Sequence, residues 1–205
     1  MKIWGRLSSI NVRKVVWAAQ EAGADFTRTD AGAEFGIVHT ANYLSMNPNA
    51  LVPVLQDGDV TLWESNVIVR YLATRFPASG LLPDTLAQHF EAEQWMDWQQ
   101  TTSNPAGRNA FIQYIRTPPE QRQTELIRQS VAAMEPLMGL LDDHLATRRF
   151  MLGAHFSMAD IPLGCEVHRW FALPQARPHW PHLERWFAGL RTRPASRGVL
   201  DITIS

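Results

Sequence analysis

The run VPVLQDGDVTLWESNVIVRYL, Val52 to Leu72, sets three elements end to end. Val52 to Gln56 and Val60 to Trp63 read as strands. Asp57-Gly58 between them is a hairpin signal, because glycine accepts the positive φ that such turns need. Ser65 then stands before Val67, Ile68, Tyr71 and Leu72, which fall on one face of a helix running to Phe76, and Pro77 stops it. Towards the N-terminus come a short helix from about Thr40 to Met46, a strand from Phe26 to Asp30 and a strand from Met1 to Gly5. Between those two strands, Val12, Val15, Val16 and Ala19 recur at the spacing of one helix face, with Gly23 placed to end the helix. The order β-α-β, short helix, β-β-α predicts an α/β domain, a mixed sheet with helices on its faces.

After that domain the pattern changes. PASGLLP, Pro77 to Pro83, carries two prolines and a glycine and reads as a linker. Residues 1–77 form the predicted first domain, 78–85 the linker and 86–205 an all-α domain. Its helices are expected over Leu86 to Ile115, Gln121 to Leu145, Ser157 to Phe171 and His182 to Leu190, with a kink or break at Pro105 and Pro136. No internal repeat is present, which excludes solenoid folds.

Composition narrows the class. The 205 residues are 45% apolar and 19% charged, with eight Trp, enough for packed cores. A formal net charge of −1, with no long run of one sign, gives no electrostatic footprint for nucleic acid or a membrane surface. The opening MKIWGRLSSI has no apolar run of signal-peptide length, and no stretch approaches the ~20 residues of a spanning helix, so a cytoplasmic protein is expected. The single Cys165 excludes an internal disulfide and reads as a buried small hydrophobe. The seven His show no metal-ligand spacing, so no metal is expected.

Four segments resemble the cytosolic glutathione transferases, and in the right order. LSSINVRKV, Leu7 to Val15, is similar to the strand-to-helix turn where theta-like and nu-like bacterial members keep a catalytic Ser or Thr followed two residues later by Asn. NPNALVPVL, Asn47 to Leu55, is similar to the segment with a cis proline. WESNVIVRYL, Trp63 to Leu72, resembles the Glu-Ser pair that receives the γ-glutamyl end of glutathione. FSMADIPL, Phe156 to Leu163, is similar to the capping box of the helical domain. The resemblance covers essentially the whole chain. It implies a thioredoxin-like domain followed by a helical bundle, glutathione as co-substrate, a small electrophile as second substrate, and a homodimer.

It also implies site residues. A free thiol with a pKa of about 8.5 is only ~3% ionised at pH 7. Lowering that pKa by ~2 units requires ~2.7 kcal/mol, which one charge-assisted hydrogen bond of ~1.5–3 kcal/mol and a helix N-terminus of ~0.3–1 kcal/mol supply. Ser9, between a strand and a helix, is placed to give both, and aligning Val15 puts Ser9 rather than Ser8 at the active position. Its alternative role is a helix cap. Asn11 resembles the residue whose amide faces the thiol. Arg13 and Lys14 read as a solvated basic pair, with added positive potential near the site as the alternative. A cis bond between Val52 and Pro53 would turn the Val52 amide groups outward to pair with an extended peptide. Glu64 meets the γ-glutamyl ammonium, and Ser65 its carboxylate.

Two departures concern the glycyl end. Leu51 stands where many relatives carry Lys, and Val38 beside His39 stands where many carry Gln or His, leaving His39 as the candidate for the glycyl carboxylate. Trp98, Thr102, Arg108 and Phe111 are expected near the second substrate. In Ser157 to Asp160, S-x-x-D is a folding feature in which the acid reaches back to the cap. Alternatives are a nu-type glutathione-dependent disulfide reductase, a maleylacetoacetate isomerase, for which Ser8 to Arg13 would need a shifted register, and a non-catalytic binding protein on the same fold.

Overall fold

The structure is a computed structural model that describes all 205 residues. The chain divides into two compact units, Met1–Leu82 and Pro83–Ser205.

In the first unit, β1 (Lys2–Trp4), β2 (Thr27–Thr29), β3 (Val54–Asp57) and β4 (Val60–Trp63) form one sheet in the order β2-β1-β3-β4. β1 runs parallel to β2 and antiparallel to β3, and β3 pairs antiparallel with β4 across the two-residue turn after Asp57. The parallel step needs a crossover, and α1 (Ile10–Glu21) supplies it. Strand alternation sorts the faces. Trp4 and its partner Val54 join the cluster of Ala31, Val38 and Tyr43, the last on α2 (Ala41–Met46). The neighbouring pair Ile3 and Leu55, both fully buried, points the other way. There α1 and α3 (Ser65–Arg75) pack together, burying Val12, Val15 and Ala19 from one and Ile68 and Leu72 from the other. β4 has the predicted bounds, while β1, β2 and β3 are shorter than the sequence predicts, and β3 begins two residues later because Pro53 cannot donate to a ladder.

The second unit is helical: α4 (Leu86–Trp98), α5 (Asn104–Phe111), α6 (Thr124–Leu145), α7 (Asp160–Phe171) and α8 (Pro181–Arg191). The helix expected over Leu86 to Ile115 does not break at Pro105. Instead π-helical turns at Gln99–Ser103 and Ile112–Arg116 bracket α5. The wider turn at 99–103 makes room where the Pro105 ring would press on the preceding turn. α6 continues through Pro136 as one helix.

Asp160, fully buried, ties the unit together. Its Oδ2 accepts from the Ser157 N–H at 3.0 Å and the Ser157 hydroxyl at 3.3 Å, as a capping box requires. Its Oδ1 accepts from the Met151 N–H at 3.0 Å and the Trp186 indole at 2.8 Å. A local cap therefore also pins the 150s loop and α8 to the start of α7. A second buried polar group joins α7 to the first π turn: Glu166 accepts from Gln99 at 2.8 Å and pairs with Arg169 at 2.6 Å.

Candidate active site

The candidate groups of the first unit gather at the ends of the strands, where α1 and α3 begin. Ser9 occupies the N-cap position of α1 with extended backbone angles, φ −87° and ψ 122°. Its N–H donates to the Arg6 carbonyl at 3.1 Å and closes the turn leaving β1. The hydroxyl makes no capping hydrogen bond and engages no other group, so a donor stands at the positive end of a 12-residue helix.

Arg13, 3% exposed, and Lys14, fully buried, are not the solvated pair that the sequence suggests. α1 is buried along most of its surface, and the Arg13 Nε–H donates to the Leu7 carbonyl at 2.7 Å. Arg13 thus clamps the turn that carries Ser9, four residues ahead of it on the same helix.

Asn11 and Ser65 meet across the two helix starts. The Ser65 hydroxyl donates to Asn11 Oδ1 at 3.2 Å, and Ser65 is buried. That hydroxyl is committed to Asn11, so the α3 backbone N–H groups are left as the anion-receiving donors. The Asn11 amide NH2 retains its donor capacity. Glu64 caps α3 without a side-chain hydrogen bond, at φ +69° and ψ 110°, a backbone region that L-residues rarely occupy. Its carboxylate is exposed beside the helix start.

The Val52-Pro53 peptide is cis. Val52 lies against the β1–α1 turn because Gly5 permits it: a Cβ there would sit 2.4 Å from Val12 Cγ2 and 3.2 Å from Val52 Cβ. No hydrogen bond within the chain engages the Val52 amide groups. The Leu51 carbonyl, by contrast, is held by the Tyr43 hydroxyl and the Asn47 amide, both at 2.8 Å. The Leu51 side chain is exposed and offers a ligand only apolar surface. His39, also exposed, precedes the Thr40 cap of α2.

The four residues expected near a second substrate fall on the second unit. Trp98, half-buried at the end of α4, meets Trp95 edge-on at 5.4 Å. Thr102 is exposed in the first π turn and Arg108 is exposed on α5. Phe111, at 6% exposure, is buried, with the guanidinium groups of Arg116 and Arg169 against its ring. The Arg13 clamp is not foreseen by the sequence pattern, which signals it only by a charged residue on an otherwise apolar helix face.

Comparison with known proteins bears on this arrangement. Residues 1–74 match the family model "Glutathione S-transferase, N-terminal domain" and residues 121–189 match "Glutathione S-transferase, C-terminal domain". The chain is 40% identical to glutathione S-transferase GstB of Escherichia coli K12, across 99% of each chain. It is 25% identical to the probable glutathione S-transferase GSTF2 of rice, across 98% of this chain and 96% of that one. Among solved structures, the theta class glutathione S-transferase of Xanthomonas axonopodis pv. citri with glutathione bound superposes with a TM-score of 0.96. It has 41% identity and covers 100% of this chain and 98% of the other.

Proposed function

The chain belongs to the glutathione S-transferase family and is a glutathione S-transferase, and from that premise we propose that it binds glutathione in the first unit and ionises its thiol at Ser9. The observation that carries this reading is the unengaged Ser9 hydroxyl at the N-terminus of α1. The thiol gives up its proton to solvent, and the thiolate left behind accepts from the Ser9 O–H and is attracted to the helix end. Ser9 donates and never attacks carbon, so the step needs no general base on the hydroxyl. Asn11 lends its amide NH2 to the same region while its oxygen holds Ser65.

The γ-glutamyl ammonium pairs with Glu64, and its carboxylate receives the first N–H groups of α3. The cysteinyl residue lies extended along the Val52 amide groups. The thiolate then attacks a small electrophile, with Trp98, Thr102 and Arg108 as the proposed second-substrate residues. The test is calorimetry with glutathione, followed by assays with aromatic halides, epoxides, peroxides and mixed disulfides. Absence of binding at millimolar glutathione would sink the reading.

Arg13→Met is expected to leave glutathione affinity within about twofold and to raise the bound thiol's pKa by about half a unit, because the Ser9 turn loses one charged hydrogen bond without losing Ser9. Thiolate absorbance against pH measures this. An unchanged thiol pKa would remove Arg13 from the positioning of Ser9.

A homodimer forms part of the proposal. Leu86 at 75% exposure and Phe90 at 59% lie one helical turn apart on α4, an apolar pair that a second copy would cover. Sedimentation should show a dimer at micromolar concentration and a monomer for the Leu86→Glu, Phe90→Glu double variant. A monomeric wild type would overturn it. No helix is long and apolar enough to cross a membrane, and a cytoplasmic location is proposed with the family assignment.

A further inference from the structure

Arg6 follows β1, and its guanidinium makes no hydrogen bond or ion pair within the chain. Its Nη1 lies against Gly32: a Cβ built there would sit 2.7 Å from Arg6 Nη1, 3.4 Å from Val52 Cγ1 and 3.7 Å from Val38 Cγ1. A permanent cation therefore packs beside Val38 and Val52 in the space that a side chain at residue 32 would need. Arg6 is half-buried, and no acidic side chain of the chain compensates it.

The sheet order says what reaches that spot. Glu64 follows β4, Val52 precedes β3 and Gly32 follows β2, while the strands lie in the order β2-β1-β3-β4. A peptide whose γ-glutamyl end sits at Glu64 and whose middle residue lies along Val52 is directed toward the β2 edge. Its last residue, one step of ~3.3 Å further, ends beside Gly32. That residue carries a carboxylate, and the place where a lysine would meet it is the apolar Leu51.

We propose that Arg6, in place of the exposed His39, is the receptor for the glycyl carboxylate of glutathione, taking the part that Leu51 cannot. The inference rests on the glutathione-binding reading above. A guanidinium matches a carboxylate through two parallel N–H donors, and with no partner in the free protein it breaks no existing bond to do so. Gly32 is the second requirement, since any side chain there would displace the guanidinium.

Calorimetry on wild type, Arg6→Met and Arg6→Lys with three ligands tests this: glutathione, its glycyl monoethyl ester, and γ-glutamylcysteine, which has no glycine. Arg6→Met leaves no partner orphaned and should fold with an unchanged melting temperature. It is expected to weaken glutathione by about 10- to 100-fold, the range of one charged hydrogen bond, while shifting the ester and the dipeptide by less than about threefold. Arg6→Lys should keep part of the preference for the free carboxylate. Equal weakening of all three ligands, or none for glutathione, overturns the proposal. An effect confined to the KM of an anionic second substrate also overturns it and assigns the cation to that substrate. A wild type that binds none of the three overturns the glutathione reading and this inference together, an outcome distinct from failure of the inference alone.

Discussion

Asp160→Ala is expected to lower stability by about 3–5 kcal/mol, well beyond the ~1 kcal/mol of an ordinary helix cap. The carboxylate is fully buried and accepts four hydrogen bonds, so its removal leaves the Met151 and Ser157 N–H groups and the Trp186 indole without acceptors. Each such loss costs about 1–3 kcal/mol, offset in part by relaxation and water entry. Urea unfolding measures the change, and glutathione affinity of the folded variant should stay at wild-type level. Burial pushes the Asp160 carboxyl up from 3.8 to about 6, against the lowering effect of its donors. A carboxyl that binds its proton more tightly folded than unfolded contributes stability that declines as pH rises between about 4 and 6 and is constant above. Wild type should therefore lose about 3 kcal/mol across that window relative to Asp160→Asn, which cannot titrate. A pH-independent difference between the two proteins would show that the site does not titrate in this range.

Ser9→Ala is expected to raise the pKa of the bound thiol by ~1–2 units and to cut the rate below the new pKa by about 10- to 100-fold, equivalent to one charged hydrogen bond of ~1.5–3 kcal/mol. Glutathione affinity should change little, because in the proposed binding mode Val52, Glu64 and the start of α3 hold the peptide while the Ser9 hydroxyl addresses only the sulfur. Thiolate absorbance against pH and single-turnover rates separate the two quantities. Ser8→Ala should do much less. If Ser9→Ala keeps the wild-type thiol pKa, then Asn11 or the α1 dipole performs the activation and Ser9 is a structural residue.

Local signals carried the sheet. Alternation, the Asp57-Gly58 turn and the stop at Pro77 each act within a few residues, so the four strands and α1 to α3 were legible to within one or two positions. The helical span from Leu86 to Ile115 was legible as well, but its π turns were not, and each of them inserts a residue and rotates the apolar face that follows it by about 100°. A stripe read at 3.6-residue spacing therefore slips past Gln99. Ser9 and Glu64 were readable as helix-start positions because strand-to-helix junctions have sequence signatures, and the cis Val52-Pro53 step through the family resemblance. Arg13 and Arg6 were not, since a charged residue becomes a clamp or a receptor only through contacts with carbonyls and loops fixed by the tertiary fold.

Glu64 places stability and catalysis in opposition. At φ +69° the backbone there costs of order 1–3 kcal/mol, and glycine would relieve it. A selection for thermal tolerance alone would drive this position to glycine and deliver a hardier protein without the carboxylate proposed to hold the γ-glutamyl ammonium. A selection for turnover would restore the acid and its strain. Directed evolution of this enzyme toward heat resistance therefore needs an activity screen from its first round, or residue 64 held fixed.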